Sequence, residues 1–104
     1  MELSALNGLE LTDVKVTDTE LKLDFNIGTI IKLKGNNIKV NDELSDYIGK
    51  IVKSFEAIGA DEETDKFKSG VIIFENVNKI IKLTSDGGFE GDIEELGELE
   101  NYIN

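Results

Sequence analysis

The feature that most constrains the fold is a run of large apolar residues spaced three or four positions apart. They are Leu44, Tyr47, Ile48, Ile51, Val52, Phe55 and Ile58. This spacing is typical of one face of an α-helix. Asn41 or Asp42 is suited to cap the start of the helix, and Gly59 is suited to end it. The sequence therefore predicts a central amphipathic helix whose apolar face packs on a sheet.

Strands are predicted on both sides of this helix. In ELKLDF (20–25), apolar and polar residues alternate as in a half-buried strand. TIIKLK (29–34) continues the sheet with β-branched residues. Turns are expected at Gly28 and at GNN, which the short strand IKV follows. Upstream, LTDVKV predicts a further strand with a bulge or break near Asp13, where the apolar phase shifts. Residues 9–40 are thus predicted to form an antiparallel meander.

A second hairpin is predicted from VIIFENVNKIIKL, with its turn near Asn76–Asn78. Its NVNKIIKL echoes NIGTIIKL, but strands reuse the same residue types, so we favour chance over duplication. The predicted fold class is α+β: an antiparallel sheet of about five or six strands, formed by the meander and the second hairpin. The sheet packs against the central helix, and a short acidic helix ends the chain. At this length, residues 1–104 are expected to form a single domain.

The acidic C-terminal helix is predicted to start at Asp92, a residue type suited to an N-cap. Its apolar side would carry Ile93, Leu96, Leu99 and Ile103, and its opposite side Glu94, Glu95 and Glu98. An interior Gly97 costs roughly 1 kcal/mol relative to Ala, and Glu94 and Glu98 form a like-charged pair. Helix formation therefore does not explain these glutamates.

Charge is distributed unevenly along the chain. The chain has 22 acidic residues, 11 lysines, no Arg and no His, which gives a net charge of −11. From Asp86 onward there are seven acidic residues and no lysine. Such a surface repels phosphates and anionic lipids, so no direct binding of nucleic acid or membranes is expected. The electrostatic complement is another protein with a basic surface, of which a nucleic-acid enzyme is one example.

Chemistry-bearing motifs are weak. Without His, acid–base catalysis near neutral pH would need a strongly shifted carboxylate or lysine. Without Arg, no planar side chain can grip a carboxylate or phosphate at two points. SDGGFEG sits where a phosphate loop would, but it matches no complete fingerprint and is itself acidic. In DEETD, Asp61, Glu63 and Asp65 have the spacing of a calcium loop, yet Lys66 replaces its Gly and Ile72 its Glu. We therefore predict no catalytic residue, no metal site and no cofactor.

The sequence predicts a small acidic, non-enzymatic binding protein of inhibitor or immunity type, such as a phage anti-defence or toxin-neutralising protein. The predicted partner-binding residues are Asp86, Glu90, Asp92, Glu94, Glu95 and Glu98. A solubilising acidic face is the simpler interpretation of any single Glu. The alternative function is an assembly subunit that forms homo-oligomers through a sheet edge at IIKLK or IIKLT. No apolar stretch approaches the ~20 residues that a membrane span needs, and a soluble, cytoplasmic protein is expected.

Overall fold

The computed structural model describes residues 3–61 and 63–95 of the chain. They form one antiparallel seven-stranded sheet, curved into a half-barrel. The strands are β1 (Leu11–Val16), β2 (Glu20–Phe25), β3 (Thr29–Lys34), β4 (Lys39–Val40), β5 (Val52–Ile58), β6 (Lys66–Phe74) and β7 (Ile80–Glu95). The helical segments in the described residues are three short 3-10 turns, at Leu3–Leu6, Asn26–Gly28 and Leu44–Tyr47.

The strand order is β1-β2-β3-β7-β6-β5, with β4 pairing beside β7. The predicted meander is confirmed for β1, β2 and β3, and so is the hairpin between β6 and β7. The predicted bulge near Asp13 is also confirmed, because the β1–β2 register shifts between Leu11 and Asp13. β4 is the exception within the meander. It pairs with Thr84 and Leu83 of β7. β4 therefore lies on the same side of β7 as β3, next to an earlier part of that strand.

The predicted central helix is wrong, and the fold is not a sheet packed against a helix. Its first part is the 3-10 turn Leu44–Tyr47, and its second part is β5. The β5–β6 register shifts between Val52 and Ser54, so one extra residue lies in β5. That bulge lets Val52 and Phe55, three positions apart, both point into the core, which imitates helical spacing. Between the two parts, Gly49 has a φ of +94° that an α-helix does not use.

The predicted acidic C-terminal helix is also wrong in its described part. Residues from Asp92 to Glu95 belong to β7 and pair with the Thr29–Lys32 end of β3. Locally the chain alternates: Phe89 is buried and Ile93 is partly buried, while Glu90 and Asp92 are exposed. A strand buries this pattern on one face and at the same time pairs the backbone of β3. Glu98 and the rest of residues 96–104 lie outside the described residues.

The core fills the concave side of the sheet. β2, β3, β6 and β7 supply alternate buried side chains, and Leu6 and Leu44 enter from the 3-10 turns. Each large apolar side chain buried in this way contributes about 1.5–3 kcal/mol. The two sheet edges meet beside β1 and β5, where an antiparallel bridge joins Glu10 to Ile51. Backbone hydrogen bonds between the segments 8–11 and 49–52 extend this contact.

Candidate functional site on strand β7

β7 carries five of the six predicted partner-binding residues. Glu90 and Asp92 are exposed on the convex face of the sheet, and Asp86 is exposed on an excursion within the strand. The backbones of Glu94 and Glu95 pair with Ile30 and Thr29 of β3. The structure therefore brings these positions onto one strand, although as an extended row and not as a helix face.

The excursion of β7 covers Ser85–Gly88. Phe67 of β6 is opposite Phe89 and Ser69 is opposite Thr84, so four residues of β7 face Lys68 alone. Gly87 and Gly88 have φ values of +78° and +87°. A Cβ on Gly88 would lie 2.6 Å from the carbonyl oxygen of Phe67. Gly87 and Gly88 of SDGGFEG thus adopt backbone conformations that favour glycine, and Gly88 lies too close to β6 for a side chain.

The turn between β3 and β4 packs against this excursion. The backbone N–H of Asp86 donates to the carbonyl oxygen of Asn36 at 2.8 Å. The side-chain hydroxyl of Ser85 accepts from the N–H of Asn36, also at 2.8 Å. The amide of Asn37 donates to the carboxylate of Asp86 at 3.3 Å. Asp86 therefore takes part in holding two turns together, in addition to being exposed.

Lysines face the acidic residues of β7 across the sheet. Glu90 is directly opposite Lys34 of β3 on one side and Lys66 of β6 on the other. Asp92 is opposite Lys32 of β3. Directly opposed side chains have Cβ atoms about 5 Å apart, close enough to interact. The block that is purely acidic in sequence is thus interleaved with lysines in space, and its surface has mixed charge.

Asp92 has a second role in the backbone of β7. Its carboxylate accepts a hydrogen bond from the N–H of Ile93 at 2.8 Å. Asp13 does the same for the N–H of Val14 in β1, at 2.9 Å. In both places a carboxylate satisfies the donor of the next residue along the strand. Such a donor must be paired or hydrated, so Asp92 stabilises the strand as well as displaying charge.

Two adjoining surface cavities lie along β7. One of about 300 Å³ lies beside the excursion, and one of about 330 Å³ lies between β3 and the end of β7. Both are lined by Lys34 and Glu90, so they form one continuous depression. We call it the β7 groove, and define it by Lys32, Lys34, Lys66, Asp86, Glu90 and Asp92. Its shape and charges suit the side chains of another protein better than an apolar small molecule.

A separate polar cluster joins Asp42, Tyr47 and Lys79. The Tyr47 hydroxyl donates a short hydrogen bond to Asp42, and the Lys79 ammonium lies 3.2 Å from the same carboxylate oxygen. The Tyr47 ring stacks on Phe74, with centroids 5.2 Å apart. The cluster ties the 3-10 turn to the start of β7. The sequence does not reveal this cluster, because Asp42 and Lys79 are far apart in the chain.

Hydrogen bonds set the ionisation of this cluster. The Tyr47 hydroxyl, the N–H of Glu43 and Lys79 together lower the pKa of Asp42. The hydrogen bond to Asp42, with partial burial, raises the pKa of Tyr47. Both shifts hold the carboxylate charged and the phenol neutral. This is the state that a structural tether requires.

Across residues 3–61 and 63–95, no group of three or more acidic side chains is arranged to hold a metal ion. In that same part of the chain, no helix has the length and apolar character to span a membrane. Comparison with known proteins gives no match, whether to a family model, to a curated protein or to a solved structure.

Proposed function

We propose that this chain is a small non-enzymatic binding protein of inhibitor or immunity type, acting in the cytoplasm on another protein. The partner presents a basic surface, as a nucleic-acid enzyme does, and β7 supplies the recognition residues. The observation that carries this proposal is the exposure of Glu90 and Asp92 on β7, with Asp86 beside them. Side chains fixed on a strand recognise a partner more sharply than side chains on a loose loop.

The interleaved lysines refine the expected partner. Five acidic and three lysine side chains line the two cavities, so the site is negative overall but patterned. A partner that fits must place basic groups at Glu90 and Asp92 without opposing Lys34 and Lys66. Patterned charge of this kind contributes specificity and association rate more than affinity. Long-range attraction would still come from the net charge of the whole chain.

The alternative, an assembly subunit, loses the edges on which it was based. IIKLK lies in β3, which pairs with β2 and β7. IIKLT lies in the first part of β7, which pairs with β6 and β4. Both segments are inside the sheet, so neither presents an open edge for self-association.

The test is affinity capture from a bacterial lysate at low and high salt, followed by mass spectrometry and association kinetics. The test variant is Asp86→Asn/Glu90→Gln/Asp92→Asn. The matched control is Asp13→Asn/Asp46→Asn/Glu56→Gln, which removes the same charge from exposed positions outside the β7 groove.

The proposal predicts one stoichiometric partner, whose association rate at low salt falls about tenfold in the test variant and much less in the control. Equal losses in both variants would mean that only net charge matters. Capture of no partner at either salt would contradict the proposed function.

A further inference from the structure

In the described residues, the end of β7 from Asp92 to Glu95 has a neighbouring strand on one side only. β6 is opposite β7 as far as Lys66, which faces Glu90, and the carbonyl of Asp65 accepts from the N–H of Gly91 at 3.0 Å. Beyond that point, in the described residues, β7 pairs with β3 alone as far as Glu95. The segment from Asp92 to Glu95 is therefore a sheet edge, which we call the β7 edge.

The direction of the backbone groups at this edge follows from the pairing. The N–H of Gly91 points toward β6, away from β3. Because the pattern alternates along an antiparallel strand, the N–H groups of Ile93 and Glu95 point the same way. At Ile93 the donor is held by the neighbouring carboxylate of Asp92. An incoming strand can replace that local contact with a carbonyl of its own.

The preceding row of the sheet shows which side chain fits beside the edge. There, Glu90 is flanked by Lys34 of β3 and by Lys66 of β6. In the next outward-facing row, Asp92 has Lys32 on the β3 side, and no strand supplies a residue on the other side in the described residues. A basic side chain placed there would repeat the arrangement around Glu90. Opposite charges facing each other across strands stabilise a pairing, and like charges weaken it.

We propose that the β7 edge binds an extended, basic segment of the partner, which adds as a strand beside Asp92–Glu95 and places a lysine or arginine opposite Asp92. The inference rests on the proposed function and specifies how the partner is held. Main-chain hydrogen bonds to Ile93 and Glu95 supply the pairing, and the charge at Asp92 fixes the register. A second copy of the same edge would not fit, because the segment Asp92–Glu95 has no lysine to place opposite Asp92.

The test uses a blocked seven-residue peptide in which lysine alternates with valine or threonine, added to the full chain. Binding is followed by fluorescence anisotropy, and by hydrogen exchange of the backbone amides by NMR. Control peptides have the same sequence and charge, but carry N-methyl groups on alternate residues, in both possible phases. One of these cannot form the edge hydrogen bonds.

Two protein variants complete the test. Ile93→Pro removes the outward N–H, and proline is tolerated on the open side of an edge strand. Retained protection of the Asp92 and Glu94 amides reports that its pairing with β3 is intact. Asp92→Asn keeps an oxygen that accepts from Ile93 but removes the charge, and it serves where the proline variant does not fold.

We expect the peptide to slow exchange at Ile93 and Glu95. We expect Ile93→Pro, or N-methylation in one phase, to weaken binding about tenfold, as the loss of a main-chain hydrogen bond would. Asp92→Asn should weaken it less and reduce its salt dependence. Equal binding of the peptide and both methylated forms, or unchanged exchange at Ile93 and Glu95, would overturn the inference.

The same variants separate this inference from the proposed function. A captured partner that depends on Glu90 but is unaffected by Ile93→Pro overturns the edge inference and leaves the proposed function standing. A partner that is insensitive to both Glu90→Gln and Ile93→Pro overturns both.

Discussion

The two parts of β7 lie in one strand and differ in almost everything else. Its first part, from Ile80 to Thr84, is flanked by β6 on one side. On the other side it is flanked by β4 at Leu83 and Thr84, and by the Asn41 side chain at Ile80 and Lys82. Its second part, from Phe89 to Glu95, is flanked by β3 throughout but by β6 only as far as Glu90. The first part carries apolar residues and Lys82, and the second carries acidic residues. The excursion Ser85–Gly88 separates them.

The number of neighbouring strands explains why one part of β7 is apolar and the other acidic. Where both sides of a strand are paired, its backbone donors are already hydrogen-bonded and cannot pair with another chain. Where one edge is open, natural sheets place charged residues to discourage indiscriminate pairing. Asp92 does this in two ways, because it displays charge and also satisfies the N–H of Ile93. Asp92 therefore protects the β7 edge, and it is also a candidate recognition residue.

The largest effect is expected in the paired part. Leu83 is fully buried, so Leu83→Ala should lower the free energy of unfolding by about 2–5 kcal/mol through lost burial and a cavity. The neighbouring exposed Lys82→Ala serves as the control and should stay within about 0.5 kcal/mol. Urea unfolding measures both. Similar losses for the two variants would contradict the assigned faces of β7.

A smaller effect is expected where the second part approaches β3. A Cβ at Gly91 would overlap the carbonyl oxygen of Lys32, so Gly91→Ala should destabilise by about 1–3 kcal/mol. Gly87→Ala is the comparison, because its φ is +78° but no atom lies within 4 Å of the added carbon. It should cost about 1 kcal/mol from backbone strain alone. A harmless Gly91→Ala would mean that β3 and β7 lie further apart.

The start of β7 should respond to pH through Asp42. The pKa of Asp42 is lowered in the folded chain by Tyr47, Glu43 N–H and Lys79, so its charged form favours folding. This contribution is fully present above the unfolded pKa near 3.8 and is lost as pH falls through the lower folded value. In urea unfolding, Asp42→Asn should therefore be less stable than the natural chain at pH 7, and the gap should close in acid. A gap that stays the same size from pH 7 into acid would contradict this.

Tyr47 gives the opposite limb of the same profile. Its pKa is raised by the hydrogen bond to Asp42, so its neutral form favours folding. That contribution is present below pH 10 and is lost as pH rises through the folded pKa. Tyr47→Phe keeps the ring that stacks on Phe74 and should remove this alkaline loss in urea unfolding. It should also shrink the acid loss at Asp42, because the Tyr47 hydroxyl is the first cause of the lowered Asp42 pKa.

The smallest effect on stability is expected at Glu90. It is exposed between two lysines, and exposed charge pairs contribute little, so Glu90→Gln should change the free energy of unfolding by less than about 0.5 kcal/mol. The same variant should slow association with the partner. A large loss of stability would show that Glu90 is structural and would weaken its proposed role in recognition.

β2 was predicted from its regular apolar alternation, and β3 and the β6–β7 hairpin from their β-branched residues and the turn signals beside them. The bulge in β5 was not predicted, and it changes the inward spacing from two residues to three. Val52 and Phe55 are such a pair, and with Leu44 and Tyr47 from a 3-10 turn they produced a false helical stripe.

The candidate site was predicted only in part, for a similar reason. The acidic residues are visible in sequence, and the structure places five of them on β7. The lysines opposite them are set by strand register between distant segments, which composition does not reveal. The segment from Asp92 onward was predicted as a helix because Ile93 and later apolar residues fit helical spacing. Its described part, Asp92–Glu95, pairs with β3, which lies more than sixty residues earlier in the chain.

Residue-resolved hydrogen exchange along β7 of the free chain tests whether the β7 edge is open to a partner strand. We predict slow exchange at Ile81 and Leu83, and alternation beyond the excursion: slow at Asp92 and Glu94, whose amides face β3, and fast at Ile93 and Glu95, whose amides face the open edge. Slow exchange at Ile93 and Glu95 to the level of Leu83 would show that another element covers this edge. It would contradict the account of β7 as a strand open to a partner.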